Sequence, residues 1–232
     1  CCSEQEKIKK MKIIAIEPIG ITPERLIYIQ NHYTAHGHTF IFHHERNENP
    51  AVIIQRMQDA DIAIVSNIPL SESILSQCSH LKCIAVAFTG IDHIDTNYCQ
   101  THNIHICNAA GYATQAVSEM TIGLILDVYR HLSEMEVQTR KLKDRNNFLG
   151  RELFDKTVGI IGTGAIGRRT ALLLKSFGCN VIAWNRSEHN DMTENNILYL
   201  PLDELLRQTN IVTLQLPLTP ETTHFLSIDK LA

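Results

Sequence analysis

The sequence predicts an α/β protein built from two parallel sheets, each covered by helices on both faces. Three observations support this prediction. Short apolar runs alternate with helical stretches along the chain, the pattern restarts near residue 157, and a glycine-rich turn stands between one apolar run and the next helix. Continuous apolar strands alternating with helices are typical of parallel sheets. The 232 residues suffice for two domains of roughly 100–150 residues each.

Residues 11–108 are predicted to form the first domain. Its five strands are predicted from apolar runs at residues 12–16, 38–42, 61–65, 83–87 and 104–107. Helices are predicted between them, at about residues 50–59, 71–79 and 95–102. Thr22 and Pro23 predict the start of the first helix, because threonine is a common N-cap and proline suits the first turn.

A long helix is predicted from about Thr114 to Arg140. Its first half is apolar on almost every side, so we expect that half to be buried between the two domains. Its second half is strongly polar, and we expect it to reach solvent or a partner subunit.

Residues 109–232 are predicted to form the second domain, with the boundary near Ala109. Strands are predicted at residues 157–161, 180–184 and 211–214, and helices at residues 164–176 and 202–207. The same alternation of strand and helix therefore occurs twice in the chain.

Composition excludes several classes of function. A net charge of −4 gives no electrostatic reason to expect a nucleic acid or an anionic membrane as partner. No apolar run approaches the roughly 20 residues that a membrane helix needs. The seven cysteines include no CxxC pair, and no His/Cys spacing indicates a metal site. The polar first ten residues lack the apolar stretch of a signal peptide, so we expect a cytoplasmic protein starting at Cys1 or Met11.

The turn Gly162-Thr-Gly-Ala-Ile-Gly167 is the clearest functional feature. It directly follows an apolar strand and opens a helix, which is the context of a dinucleotide-binding turn. Gly162 permits the tight turn, Gly164 lets the backbone approach a pyrophosphate, and Gly167 allows close packing of helix on strand. The helix N-terminus offers free N–H groups to the phosphates.

The end of the next strand bears on the choice of cofactor. An acidic residue usually stands there and binds the adenosine ribose hydroxyls of NAD. This chain has Asn185, Arg186 and Ser187 instead. A neutral Asn185 would not repel a 2′-phosphate, Arg186 could pair with it, and Ser187 could donate a hydrogen bond. We therefore expect NADP in preference to NAD, with a merely solvated Arg186 as the alternative.

Four segments in order resemble the D-isomer-specific 2-hydroxyacid dehydrogenases. VAFTGIDHID at residues 86–95 resembles the family's GTGVDNID segment. CNAAGYATQAVSE at residues 107–119 resembles its NVPGYSTxxVAE segment. GRELFDKTVGIIG at residues 150–162 resembles GxELxGKTLGIIG, and LPLTPETT at residues 216–223 resembles HxPLTPETxxL. The resemblance extends from about residue 80 to residue 232.

The resemblance implies a flavodoxin-like substrate lobe and a Rossmann cofactor lobe, the latter incomplete, with the cofactor in the cleft between them. It also implies a homodimer formed around residues 114–151. Thr89 and Gly90 match backbone amides that bind the substrate carboxylate, as an anion nest would. The implied cofactor contacts are Ala165 and Ile166 at the pyrophosphate, Leu216 and Pro217 on the adenosine side, Thr222, and Tyr112 and Thr114 near the nicotinamide. Gln215 stands where the family usually has histidine.

The family's chemistry moves a hydride between the nicotinamide and C2 of a 2-keto or 2-hydroxy acid. Its catalytic Arg, Glu and His lie downstream of the PLTPET segment, and we expect them beyond Ala232. His93 and His224 are the nearest histidines, but neither matches the family's position. We therefore expect no catalytic residue within the chain and no turnover by the chain alone.

The sequence leaves two alternatives to a 2-hydroxyacid dehydrogenase to be weighed. A nucleotide-binding pseudoenzyme or regulatory protein of the same fold stays open, because fold does not determine function. An alanine-dehydrogenase-like enzyme is disfavoured by the TGIDHID and PLTPET segments. The identity of the 2-hydroxy acid stays open.

Overall fold

The computed structural model of the chain describes residues 10–141 and 149–231. The chain divides into two compact units, Cys1–Ala110 and Gly111–Ala232. Both units consist of a parallel sheet with helices, so the predicted α/β class is confirmed. None of the helices in the described ranges is long and apolar enough to cross a membrane.

The first unit contains a five-stranded parallel sheet in the order β2-β1-β3-β4-β5. Its strands are β1 (Lys12–Ala15), β2 (Thr39–Phe42), β3 (Ile62–Val65), β4 (Cys83–Val86) and β5 (His105–Asn108). Its helices are α1 (Pro23–Ala35), α2 (Pro50–Met57), α3 (Glu72–Leu75) and α4 (Thr96–Thr101). As predicted, the Thr22 side chain caps α1, accepting a hydrogen bond from the Arg25 N–H at 3.3 Å.

Alternate residues of the central strands form the core of this unit. Ile14, Val65 and Ile84 are buried and pack with Met57 of α2 and Leu75 of α3. The sheet therefore holds its carboxyl-terminal loops on a rigid support, and the predicted carboxylate-binding turn follows β4 at that edge.

The predicted long helix is two helices, α5 (Thr114–Arg130) and α6 (Leu132–Arg140). The prediction of a single helix is wrong because His131 lies in the left-handed region, with φ of 55°. Asp127 accepts hydrogen bonds from the backbone N–H and the hydroxyl of Ser133. This carboxylate satisfies an N–H in the first turn of α6, which stabilises the new helix start.

The apolar first half of α5 is also less buried than predicted. Within the described part of the chain, only Ser118 and Ile122 of this helix are buried. Four apolar side chains spaced along α5 are exposed: Val117 by 37%, Met120 by 64%, Leu124 by 60% and Val128 by 72%. The prediction of burial is therefore wrong for the chain by itself.

The second unit contains a four-stranded parallel sheet in the order β8-β7-β6-β9. Its strands are β6 (Thr157–Ile161), β7 (Asn180–Trp184), β8 (Leu198–Tyr199) and β9 (Ile211–Leu214). Its further helices are α7 (Ala165–Ser176), α8 (Asn190–Glu194), α9 (Leu202–Gln208) and α10 (Ile228–Leu231). The sequence did not predict α8 and β8, which are too short to show a clear periodicity.

The strand order reverses at β6. The chain continues from β6 to β7 and β8 on one side, whereas β9 pairs with β6 on the other. Open α/β sheets bind ligands in the crevice outside the carboxyl ends of the strands at such a switch point. The glycine turn follows β6 and residues 215–217 follow β9, so both segments lie at this crevice.

Candidate functional site

A cavity of about 310 Å³ lies at this switch point of the second unit. The sequence-predicted residues that line it are Gly162, Gly164, Asn185, Arg186, Leu216, Pro217 and Thr222. The structure adds Trp184, His189, Gln215, Thr219, Glu221 and Phe225 to its lining. One cavity thus brings together the glycine turn, the end of β7 and the segment after β9.

Two glycines of the turn are required by its geometry. Gly162 has a φ of 96°, and a Cβ there would lie 2.6 Å from the Gln215 carbonyl oxygen. A Cβ on Gly167 would lie 2.0 Å from the Gly162 carbonyl oxygen. Real Cβ contacts do not approach so closely, so α7 reaches the end of β6 only with glycine at position 167.

Gly164 differs from the other two glycines. Its φ is −64°, which any residue can adopt, and a Cβ there would meet no atom within 4 Å among the described residues. The space above this residue is therefore open toward the cavity. A pyrophosphate could therefore approach the backbone here. The free N–H groups at the start of the twelve-residue helix α7, which follows Gly164, could then bind it.

The end of β7 forms the next wall of the cavity. The Trp184 ring packs against Phe225, with ring centroids 5.0 Å apart. The Asn185 side chain donates to the Ser187 carbonyl oxygen at 2.8 Å, which holds the loop closed. Asn185 and Arg186 line the cavity, but Ser187 does not.

The segment after β9 forms the opposite wall. The Gln215 N–H donates to the Ile161 carbonyl oxygen at 2.7 Å, continuing the pairing of β9 with β6. The Thr222 hydroxyl donates to the Pro217 carbonyl oxygen at 2.5 Å and accepts from the Thr219 N–H at 2.8 Å. Thr222 therefore holds this loop in shape, a role that the motif did not indicate.

Charge in the cavity is divided between cationic and anionic groups. Hydrogen bonds from the Thr219 side chain and from the backbone lower the pKa of Glu221, and the nearby Arg186 lowers this pKa further. Glu221 is therefore a carboxylate at neutral pH, and Arg186 interacts with it across the cavity. A second anion beside Arg186 would share this guanidinium with Glu221.

The sequence analysis missed a hydrogen-bonded network beside the cavity. Arg168 follows the last glycine of the turn, and its Nη1 lies 3.2 Å from His189 Nδ1. Arg168 Nε also pairs with Asp191 at 3.2 Å. The Tyr199 hydroxyl donates to the buried Thr163 hydroxyl at 2.9 Å. The position of Arg168 in the first turn of α7 was the one available signal, because α8 and β8 were not predicted.

Some predicted cofactor residues lie outside the lining of the cavity. Ala165 and Ile166 form the first turn of α7, where the Ser118 hydroxyl donates to the Ile166 carbonyl oxygen at 3.2 Å. Thr114 opens α5 and accepts from the same hydroxyl at 2.8 Å. Tyr112 is exposed just before this helix. Their contacts with a cofactor stay predictions.

The predicted carboxylate-binding residues lie in the first unit. Thr89 and Gly90 follow β4, and the Asn108 side chain donates to the Thr89 carbonyl oxygen at 2.7 Å. Burial lowers the pKa of His93, three residues after Gly90. His93 Nε2 is buried with no hydrogen-bond partner among the described residues. His93 is therefore neutral at pH 7, which does not favour it as a proton donor.

The geometry of the second unit defines a class of protein. Its strand order, its glycine turn and the open approach at Gly164 are those of a protein that binds a nicotinamide dinucleotide on a Rossmann-type sheet. Residues 122–232 match the family described as "D-isomer specific 2-hydroxyacid dehydrogenase, NAD binding domain". The second unit therefore carries the NAD-binding domain of the D-isomer-specific 2-hydroxyacid dehydrogenases.

Two curated relatives illustrate the similarity. The chain is 30% identical over 184 residues to D-3-phosphoglycerate dehydrogenase of Methanocaldococcus jannaschii, covering 78% of this chain and 35% of that protein. It is 26% identical over 229 residues to hydroxypyruvate reductase of Blautia hydrogenotrophica, covering 96% of this chain and 70% of the relative. The chain thus spans about a third of the length of the first relative.

Solved structures agree in fold. The acyclic imino acid reductase Bsp5, in complex with NADPH and D-Arg, superimposes with a TM-score of 0.85 at 29% identity, over 95% of this chain and 70% of that one. D-lactate dehydrogenase from Aquifex aeolicus, complexed with NAD and lactic acid, gives a TM-score of 0.81 at 28% identity, over 94% and 64%. Both neighbours are oxidoreductases with a nicotinamide cofactor.

Proposed function

We propose that the chain binds NADP(H) in the cavity of its second unit, as the cofactor-binding part of an oxidoreductase acting on a 2-keto or 2-hydroxy acid. The observation that supports this most strongly is the glycine turn, whose open Gly164 faces the same cavity as Asn185 and Arg186. A bound nicotinamide supplies the hydride. The chain supplies the orientation of the dinucleotide and the charge around it.

The residues at the end of β7 support the preference for NADP(H). No acidic residue stands at this position to repel a 2′-phosphate, since Asn185 is neutral. Arg186 follows the last residue of the strand by two positions, and it lines the cavity. Glu221 opposes this preference in part, because it already attracts Arg186. We therefore propose a real but moderate preference for NADP(H).

Replacing Arg186 by alanine is expected to weaken NADPH binding about tenfold, the effect of losing one hydrogen bond to a charged group. NADH affinity should change less than threefold, because NADH lacks the 2′-phosphate. Isothermal titration calorimetry with both cofactors measures these changes. The matched control is Arg169→Ala, since Arg169 is outside the cavity lining and donates to Gln115 on α5. Tighter binding of NADH than NADPH by the unaltered chain would contradict the proposal.

Thr89 and Gly90 are proposed to bind the substrate carboxylate through their N–H groups, as the family resemblance implies. The activity of the whole protein, its keto-acid substrate and its cytoplasmic location are proposals of the same kind. The expectation that this chain alone reduces no glyoxylate, hydroxypyruvate or pyruvate with NADPH also stays a prediction.

A homodimer is proposed through α5, on the support of its exposed apolar side chains. Met120, Leu124 and Val128 lie four residues apart, so they share one face of the helix. Burying one such side chain contributes about 1.5–3 kcal/mol, and a twofold interface would bury each of them twice.

The substitution Leu124→Glu is expected to convert a dimer into a monomer, because it would place a charge at the centre of this face. Sedimentation velocity measures the change in mass. The control is Leu198→Glu on β8, where leucine is exposed to the same degree, 61% against 60%. A monomer before substitution, or a dimer that survives Leu124→Glu, would remove the proposed interface.

A further inference from the structure

His189 lines the same cavity as Arg186, but it belongs to no motif of the glycine turn. It stands between β7 and α8, and its ring is partly buried. Two groups on other elements hold it in place, one at its ring and one at its backbone.

The contact at the ring determines which nitrogen carries the proton. Arg168 Nη1 lies 3.2 Å from His189 Nδ1. A guanidinium has donors and no acceptor, so His189 Nδ1 must accept this hydrogen bond. The proton of the neutral ring is therefore on Nε2. The second nitrogen of a ring that lines the cavity is thus a hydrogen-bond donor.

Arg168 is itself held by two further contacts. Its Nε pairs with Asp191 at 3.2 Å, and its Nη1 lies 3.5 Å from the Thr163 carbonyl oxygen in the glycine turn. The guanidinium therefore links α7, α8 and the turn. It fixes the orientation of the His189 ring relative to the site of the phosphates.

The contact at the backbone leads to the same turn. The His189 N–H donates to the Tyr199 hydroxyl at 3.2 Å, and this hydroxyl donates to Thr163 Oγ1 at 2.9 Å. Thr163 is fully buried. The distance between the phosphate-binding turn and the His189 ring is thus set by hydrogen bonds on both sides.

We propose that His189 is a cofactor-selecting residue, whose Nε2–H donates to the 2′-phosphate of NADP(H). This inference rests on the proposed function. It gives the 2′-phosphate a second donor besides Arg186. It also makes the ratio of NADPH to NADH affinity depend on pH. Histidine changes its charge between pH 5 and 8, and a protonated ring attracts a phosphate more strongly than a neutral one.

The charged and titratable groups around His189 determine the size of this effect. These groups come from several elements: Arg168 on α7, Arg186 before α8, and Asp191 on α8 with Glu188 shortly before it. Tyr199 on β8 contacts the His189 backbone, and Glu221 faces the cavity from the loop after β9. On protonation Nδ1 can no longer accept from Arg168, which keeps its pairing with Asp191.

The test is calorimetric titration of the chain with NADPH and with NADH at pH 6.5, 7.5 and 8.5. The ratio of NADPH to NADH affinity is expected to be about three- to tenfold higher at pH 6.5 than at pH 8.5. A phosphate monoester takes up its own second proton near pH 6, which would work against this trend. Comparison with a variant lacking the imidazole corrects for the phosphate, because both proteins meet the same ligand.

The variant His189→Gln is expected to weaken NADPH binding about fivefold. Its affinity for NADH should stay within twofold of that of the unaltered chain, and its ratio of NADPH to NADH affinity should depend less on pH. His189→Lys should retain the preference for NADPH, because it keeps a cation at this position, with little dependence on pH below 8.5. His224→Asn is the control for loss of a histidine from the same unit, since His224 is outside the cavity lining. It should behave as the unaltered chain.

Four results would overturn the inference. A wild-type affinity ratio in His189→Gln at every pH would show that the ring does not contact the phosphate. Equal losses of affinity for NADPH and NADH in His189→Gln would show that His189 only positions the turn. A loss of selectivity in Arg186→Ala but not in His189→Gln would leave the proposed function standing without this inference. An unaltered chain that prefers NADH would overturn both.

Discussion

Replacing Gly167 by alanine will destabilise the second unit by about 3 kcal/mol or more, the range of strongly overpacked sites. The added Cβ would lie 2.0 Å from the Gly162 carbonyl oxygen, which belongs to backbone and not to a mobile side chain. The start of α7 would have to move away from the end of β6. The packing of the buried Ala171 and Leu174 on the sheet would be lost with it.

Replacing Gly164 by alanine is the matched control, because it adds the same Cβ atom at another glycine of the turn. This Cβ would meet no described atom within 4 Å, and its φ of −64° suits alanine. We expect unchanged stability but at least tenfold weaker NADPH binding, since the methyl group would enter the space that the pyrophosphate needs.

Urea denaturation followed by tryptophan fluorescence separates these two effects. The chain has one tryptophan, Trp184, which ends β7 and therefore reports on the second unit. Calorimetry with NADPH supplies the second measurement. Gly167→Ala at wild-type stability would contradict the account of helix packing. Unimpaired NADPH binding by Gly164→Ala would contradict the position of the pyrophosphate.

Replacing Glu17 by alanine will destabilise the first unit by about 3 kcal/mol, because it removes a buried acceptor of three backbone N–H groups and each donor left unsatisfied costs about 1–3 kcal/mol. Glu17 is 1% exposed and follows β1. Its Oε1 accepts from three consecutive backbone N–H groups, those of Ser66 at 2.7 Å, Asn67 at 2.9 Å and Ile68 at 3.1 Å. Its Oε2 accepts from Arg46 Nη1 at 2.5 Å.

Removal of this carboxylate leaves these donors without their acceptor, and unsatisfied buried donors are costly. Chemical denaturation monitored by circular dichroism measures the loss of stability. Hydrogen exchange of the amides of Ser66 to Ile68 locates it, because these protons should exchange much faster in the variant. The control is Glu48→Ala, which removes the exposed second carboxylate of Arg46 and should cost at most about 1 kcal/mol. Equal stability of the two variants would contradict the assigned role of Glu17.

Much of the fold could be predicted because the deciding signals are local. Runs such as residues 157–161 and 180–184 are apolar at every inward position, and the strands form there. Thr22 and Pro23 predicted the start of α1 from capping chemistry within one turn. The spacing of Gly162, Gly164 and Gly167 predicted the dinucleotide turn for the same reason, since each glycine acts within six residues of the others.

The structure adds what the pattern of residues does not show: which hydrogen bonds form and what packs against a helix. The long helix breaks at His131, where Asp127 satisfies an N–H of Ser133 across the break, and periodicity alone does not show this. Thr222 lines the cavity, and its hydroxyl is used within its own loop, which the motif did not show. The exposure of the apolar face of α5 also depends on what packs against the helix, which the pattern of residues does not state.

The sequence by itself determined the α/β class, every described strand but β8, the glycine turn and the resemblance to the family, because these depend on short-range patterns of burial and backbone freedom. The tertiary structure alone decided the surroundings of the cofactor cavity. It brings Thr163 to Tyr199 across 36 positions and Arg168 to His189 across 21. Such hydrogen bonds form only after the sheet has aligned β6, β7 and β8, and no local sequence pattern predicts that alignment.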